Sequence, residues 1–558
     1  TLATVYEACM NPDARKKEEL AEVSKIVAEL KAIKTREAFL SFLAAKRDAS
    51  EPSLVDVGSS ANQDKPETLD FYFDVDMQTL PERSYYLKPE VTSDFSKVLE
   101  KFFVTIGDKT PANSAKAVLK LETEFAKVHP LPSEMRAIWS QRSRITKKDI
   151  LTKYPSFRLE GHLAKVPDTA TVRHFIPETY AFTEKTLKTA KLEDLKAVYL
   201  YKSLSPLMDD AYPEFFAVKY AFNQKHLGAP PVRPVREERC TQMVMGTFTK
   251  ELDAELLPIM FPDFPQDKFI ALAEKIRASI IDGVKANTWL SEAGRQGAIE
   301  KMSKAKLQLV KPLNDEEWYF NPAAAYTSST PIANGRALDG ALTARMYSEL
   351  PKPRNRDRWG MGPLTVNAYY SPTDNKFVMP IGILQYPFYD PKLPIEINLG
   401  AVGAVIGHEL GHGIDDQGAK YDSAGKLRQW MNDKDIENFR GRGKKFVDQF
   451  NQIGHNGDLT LGENIGDLTG VTFAYHAAFP EGQGTTEQKQ AFFLQYGRLW
   501  CGVELPKYSE QMLKTDPHSR GFARVNQQLK NQPAFAEAFS CKAGDAMVLN
   551  PEGVVKIW

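Results

Sequence analysis

The stretch from Val405 to Gly418, VIGHELGHGIDDQG, decides how this sequence is read, because it holds His408, Glu409 and His412 in the pattern HExxH. On a helix this spacing puts the two histidines one turn apart on one face, with about 6 Å between their stems. Two imidazoles so placed can grip one zinc ion. A hydrolytic zinc site takes three protein ligands and leaves one position for water, and Glu409 stands where it can accept that water's proton. Gly407, Gly411 and Gly413 weaken such a helix by up to about 1 kcal/mol each relative to alanine, so it must be held by packing. They also let a second element approach closely.

The third ligand comes from Leu461 to Gly470, LGENIGDLTG, which offers Glu463 with Asp467 one helical turn further on. In the thermolysin-like class a glutamate on a second helix completes the ligand set, and an acidic residue one turn later orients a zinc histidine. The metzincin pattern is excluded, because Asp415 and Gly418 occupy the positions where it requires glycine and histidine. A structural zinc is excluded by ligand type, since such sites are closed and rich in cysteine. Near the C-terminus, KTDPHSRGFARVN carries His518 and Arg524, which by spacing alone read as surface residues. The other six histidines, His129, His162, His174, His226, His455 and His476, lack partners at metal spacing and read as structural.

Around these motifs lies a chain of 558 residues, 42% hydrophobic and 26% charged, a length that suggests two to four domains or two large lobes. Lys plus Arg equals Asp plus Glu at 72 each, so no net field draws the chain to nucleic acid or an anionic bilayer. No apolar run reaches the length of about eighteen residues that a membrane helix needs. The first half reads as helical, from the spacing of Leu20 to Ile33 and of Phe95 to Ile106, with a third helix from Ser114 to His129. A Pro-rich break follows at Gly228 to Pro234. The character changes at Leu307 to Pro312, a short β-like run before a loop expected to reach about Asn334, which places the lobe boundary between 306 and 307. Two strand-like segments, Leu364 to Tyr370 and Lys376 to Pro380, flank a turn at Ser371 to Asn375. Helices are expected from Leu399 to Asp415 and from Gly462 to Ala478. The fold class is mainly α with a small β component. Cys9, Cys240, Cys501 and Cys541 form no CxxC pair and on spacing alone read as buried thiols.

Taken in order, VNAYY (366–370), GILQYPFYD (382–390), the two motifs above, KTDPHSRG (514–521) and VVKIW (554–558) resemble the neprilysin family of zinc metallopeptidases. WGMGPLTVNAYYSP, at 359–372, is most similar to the bacterial endopeptidase O branch. This resemblance implies a thermolysin-like catalytic lobe (307–558) facing a helical lobe (1–306) across a central cavity, one Zn2+ per chain and short peptides as substrates. It implies that Asn367 and Ala368 bind the substrate backbone, that His518 stabilises the transition state, that Arg524 holds a substrate carbonyl, and that Asp467 orients a zinc histidine. It also pairs Cys9 with Cys240, and expects the partners of Cys501 and Cys541 in a segment upstream of Thr1. With that disulfide pattern, the expected location is outside the cytosol, whether secreted, periplasmic or surface-anchored. The terminal cysteine common in the family is absent, and Tyr386 stands where a proline is usual. Those departures bear on subsite shape.

Overall fold

The computed structural model describes residues 1–318 and 324–558. Part of the loop expected before Asn334, residues 319–323, lies outside the described residues. The chain is mainly helical, and its helices start and stop where local chemistry dictates. Helix Pro12–Ala32 opens with the Asn11 side chain accepting from Ala14 N–H and with proline in its first turn, where no backbone donor is needed. Helix Pro89–Thr105 covers the second expected segment, and helix Pro111–Val128 stops just before Pro130. The Pro-rich break separates helix Pro213–His226 from helix Arg236–Thr247.

Apolar side chains gather into two large clusters. One is built from Val23 to Phe222 with Leu350 added, and the other from Leu257 to Ala538. Helices Gln266–Lys285 and Glu292–Lys304 therefore pack in the second core, although their sequence character matches the helical half. A smaller cluster around Phe446 and Ile465 backs the second core.

The larger of two sheets lies in the first half, which periodicity had assigned to helices. Its strands β1 (Val55–Ala61), β2 (Leu69–Val75), β3 (Arg144–Ile145) and β4 (Val172–Arg173) run in the order β1-β2-β4-β3. The signal was present in LDFYFDV: Phe71, Phe73 and Val75 alternate and bury one face. The second sheet, ordered β5-β7-β6, joins β5 (Lys306–Val310) in parallel and β6 (Tyr369–Ser371) antiparallel to β7 (Lys376–Pro380). Strand β6 is thus an edge. It is shorter than expected, because residues 364–368 precede it without ladder pairing to β7.

The helix carrying HExxH is Ala404–Gly411, preceded by a π turn at Leu399–Gly403 and capped by His412. It ends earlier than expected because the chain turns at once: Asp415 Oδ1 accepts from the N–H groups of Gln417 (2.8 Å) and Gly418 (2.6 Å). Helix Gly457–Ala478 begins earlier than expected, capped by the Asn456 side chain on Leu459 N–H. These two helices touch through backbone. A Cβ at Gly407 would lie 2.8 Å from Gly470 Cα, and one at Gly470 would lie 2.2 Å from the Ala404 oxygen. Neither position accepts a side chain without moving a helix.

The first core meets the second around residues 415–427. Ser140 Oγ lies 2.9 Å from Gln417 Oε1, and Leu427 N–H donates to the Gln63 oxygen at 2.7 Å. Cys9 and Cys240 form a disulfide, as the resemblance implied, whereas Cys501 is free and exposed, not buried.

Two outcomes follow. Gly470→Ala is expected to lower stability by about 1–3 kcal/mol, read by urea unfolding, through forced separation of the two helices. Replacing both Cys9 and Cys240 by alanine is expected to lower it by about 2–5 kcal/mol in the same assay, since the bridge closes a long loop.

Candidate active site

The close approach of the two helices sets the positions of the chemistry. His408 and His412 leave the first helix on one face, with ring centroids 4.6 Å apart, and Glu463 faces them from the second. One donor atom from each of these three residues lies within 4.8 Å of the other two. The expected ligand set is therefore brought together, from elements far apart in sequence.

Each histidine is held by a carboxylate. His408 Nδ1 sits 2.8 Å from Asp467 Oδ1, and His412 Nδ1 sits 2.9 Å from Asp415 Oδ2. Asp467 is fixed in turn by Arg524, whose Nε and Nη2 donate to its two oxygens at 2.8 and 2.7 Å. With both Nδ1 atoms donating to carboxylates, the rings turn their Nε2 atoms inward. The two Nε2 atoms are 3.0 Å apart, and Glu463 Oε2 lies 3.3 and 3.4 Å from them. That buried oxygen has no hydrogen-bond partner.

Two imidazole nitrogens and a carboxylate oxygen converging on one point fit a divalent zinc ion, with the carboxylate braces zinc histidines require. His408, His412 and Glu463 are the residues that would hold it. Burial opposes charge on all three. For Glu463, His412, His408 and His518 outweigh that penalty and hold its carboxyl well below the usual range. For His412, Glu463 and Asp415 outweigh it and push the imidazole well above the usual range.

Glu409 is buried at 6% exposure, and its carboxylate makes no hydrogen bond or ion pair among the described residues. Burial lifts it above the ordinary carboxylate range, with the two imidazoles pulling the other way. A carboxylate left free beside a metal site suits proton transfer.

His518, which spacing alone assigned to the surface, reaches the same point: its Nε2 lies 3.2 Å from Glu463 Oε2, with 45% of the side chain exposed. Its Nδ1 is held by Asp516 at 2.8 Å. Burial lowers its pKa, but Asp516 and Glu463 prevail and raise it to about 9. Asp516 was not singled out from sequence, although a carboxylate two residues before a histidine is the local signal for such a brace.

Arg524 is buried and stacks on Trp500, with its carbon centre 3.5 Å from the ring centroid. Two of its three guanidinium nitrogens are committed to Asp467. Asn367 is exposed and its Oδ1 accepts from Ala368 N–H at 2.9 Å. Ala368 is buried, and both residues precede β6 at the free edge of its sheet. Among the structural histidines, His455 Nε2 accepts from Arg520 N–H at 3.0 Å, and His174 Nε2 meets the Tyr154 hydroxyl at 2.8 Å.

The chain is similar to known proteins in sequence and in fold. Neprilysin-1 of Caenorhabditis elegans is 37% identical over 298 residues, which span 49% of this chain and 39% of that protein's length. The fold superposes on the inhibitor complex of the Mycobacterium tuberculosis zinc metalloprotease ZMP1 with a TM-score of 0.89 at 24% identity, covering 99% of this chain and 88% of that one. PEPO from Lactobacillus rhamnosis HN001 gives a TM-score of 0.90 at 22% identity, covering 100% and 90%. The sequence profiles of peptidase family M13 match residues 1–312 and 367–555, and together with the site they show that this chain belongs to peptidase family M13.

Proposed function

We propose that this chain is a zinc-dependent endopeptidase that cleaves short peptides. The observation that carries the reading is the buried Glu463 Oε2, which faces the Nε2 atoms of His408, His412 and His518 without a hydrogen-bond partner. Membership of a peptidase family supports it. When bound, zinc supplies a Lewis acid at the scissile carbonyl and brings the pKa of a coordinated water towards about 7.

The protein's own groups do the rest. Glu409 accepts the proton of the attacking water and returns it to the leaving amine, a task that suits a carboxyl whose pKa is lifted by burial. His518, charged at neutral pH, donates to the oxyanion of the tetrahedral intermediate. Asp516 keeps that ring aimed. Asp467 and Asp415 fix the tautomer of the two ligand imidazoles. Arg524 anchors Asp467 and turns its remaining nitrogen to a substrate carbonyl. Asn367 and Ala368 hold an extended peptide against the edge of β6, which adds as a further strand.

The lobe built on the first core covers the site and restricts it to short chains. No helix among the described residues is long and apolar enough to cross a membrane. The Cys9–Cys240 bridge supports an oxidising location outside the cytosol.

Glu409→Gln is expected to keep its zinc, measured by atomic absorption, while hydrolysis of a fluorogenic peptide falls by about 10²- to 10⁴-fold. A variant retaining more than a tenth of the activity would remove Glu409 from the base role. Stripping zinc with a chelator should abolish turnover and lower the melting temperature, with both restored by added Zn2+. Zinc at 100 times its dissociation constant adds about 2.7 kcal/mol of stability.

A further inference from the structure

We propose that Arg136, carried by the first core, positions the metal ligand His412 through Asp415 and Asp416, so that the ligand set is fully braced only when the two cores are docked. The inference rests on the zinc reading above.

Arg136 belongs to helix Pro132–Ile138, whose Met135 and Ile138 pack on the first core. Its guanidinium leaves that core and enters the second. Nη1 donates to Asp416 Oδ2 at 3.0 Å, and Nη2 lies 3.0 Å from Asp416 Oδ1 and 3.6 Å from Asp415 Oδ2. The last oxygen is the one that receives His412 Nδ1. A single chain of contacts thus runs from the first core to a metal ligand.

Without Arg136, Asp416 keeps no ion pair among the described residues, and Asp415 Oδ2 loses the guanidinium beside it, leaving the backbone N–H groups of Gln417 and Gly418 to hold only Oδ1. Lys301 grips the same loop from the other side, donating to the Gly418 and Tyr421 oxygens at 2.6 and 2.7 Å. It secures the backbone but makes no bond to either carboxylate. A positive charge near a cation site weakens binding in principle. Here both terminal nitrogens are neutralised by Asp416, so orientation of Asp415 is the larger effect.

Gly462, next to the ligand Glu463, makes room for this guanidinium. A Cβ there would lie 1.7 Å from Arg136 Nη2 and 2.7 Å from Asp416 Oδ1. Because the obstructed atom is the end of a flexible side chain, alanine at 462 evicts the guanidinium while sparing the backbone.

The test uses the full chain loaded with cobalt(II) or zinc, titrated against a chelator, with fold checked by circular dichroism. Arg136→Met and Gly462→Ala are each expected to weaken metal affinity by about tenfold or more, and to shift the visible cobalt spectrum. In both, kcat should fall with KM within about twofold, since substrate contacts are untouched. Arg136→Lys should recover part of the loss, and Asp416→Asn added to Arg136→Met should recover part by removing the uncompensated charge. A folded Arg136→Met protein with unchanged affinity and spectrum overturns the proposal, as does Gly462→Ala behaving like the unaltered chain. If the unaltered chain binds neither metal, the zinc reading fails and this inference with it; if it binds metal and only the variants are silent, the zinc reading stands alone.

Discussion

The contact between Gly407 and Gly470 is the constraint on which the site depends. It lets two helices approach to backbone distance, and at that separation Glu463 comes within reach of the two imidazoles. Helix propensity argues against glycine at both positions, and the helices persist because they are buried in the second core on nearly every side. Local instability is accepted where close packing is required.

Electrostatically, the site is a set of buried charges placed so that each faces an opposite one. Arg524 faces Asp467, which faces His408; Arg136 faces Asp416 and Asp415, the second of which faces His412. Buried charges without partners are costly, so each chain of contacts continues until the last group is satisfied. Both chains end at the space between His408, His412 and Glu463. There, an oxygen and two ring nitrogens converge, a donor set that suits a divalent cation.

Much of this was legible in the sequence, and the reasons are physical. HExxH runs along one helix to its cap and ExxxD lies within another, so spacing maps directly to direction in space, and the candidate ligands could be named before any coordinates. His518 could not be placed by spacing, because its position depends on how a C-terminal segment returns to the second core; the family resemblance located it. Arg136 was out of reach for a similar reason, since its partner Asp416 lies 280 residues away. The first sheet was missed because β1 is rich in Gly, Ser and Asp, and only its partner β2 alternates clearly. In β6 the reverse happened: β-branched and aromatic residues extended the expected strand to Leu364, but no neighbour pairs with residues 364–368.

The bridge between Cys9 and Cys240 spans 231 positions, and the first cluster, apart from Leu350, falls inside that interval. Residues 9–240 therefore form a covalent ring, tied off where the chain passes on towards the second core. A cut anywhere on its surface opens the ring without shedding a piece, so a nicked molecule keeps its mass until a reductant arrives. In a milieu crowded with hydrolases, such a lobe survives its first wound intact.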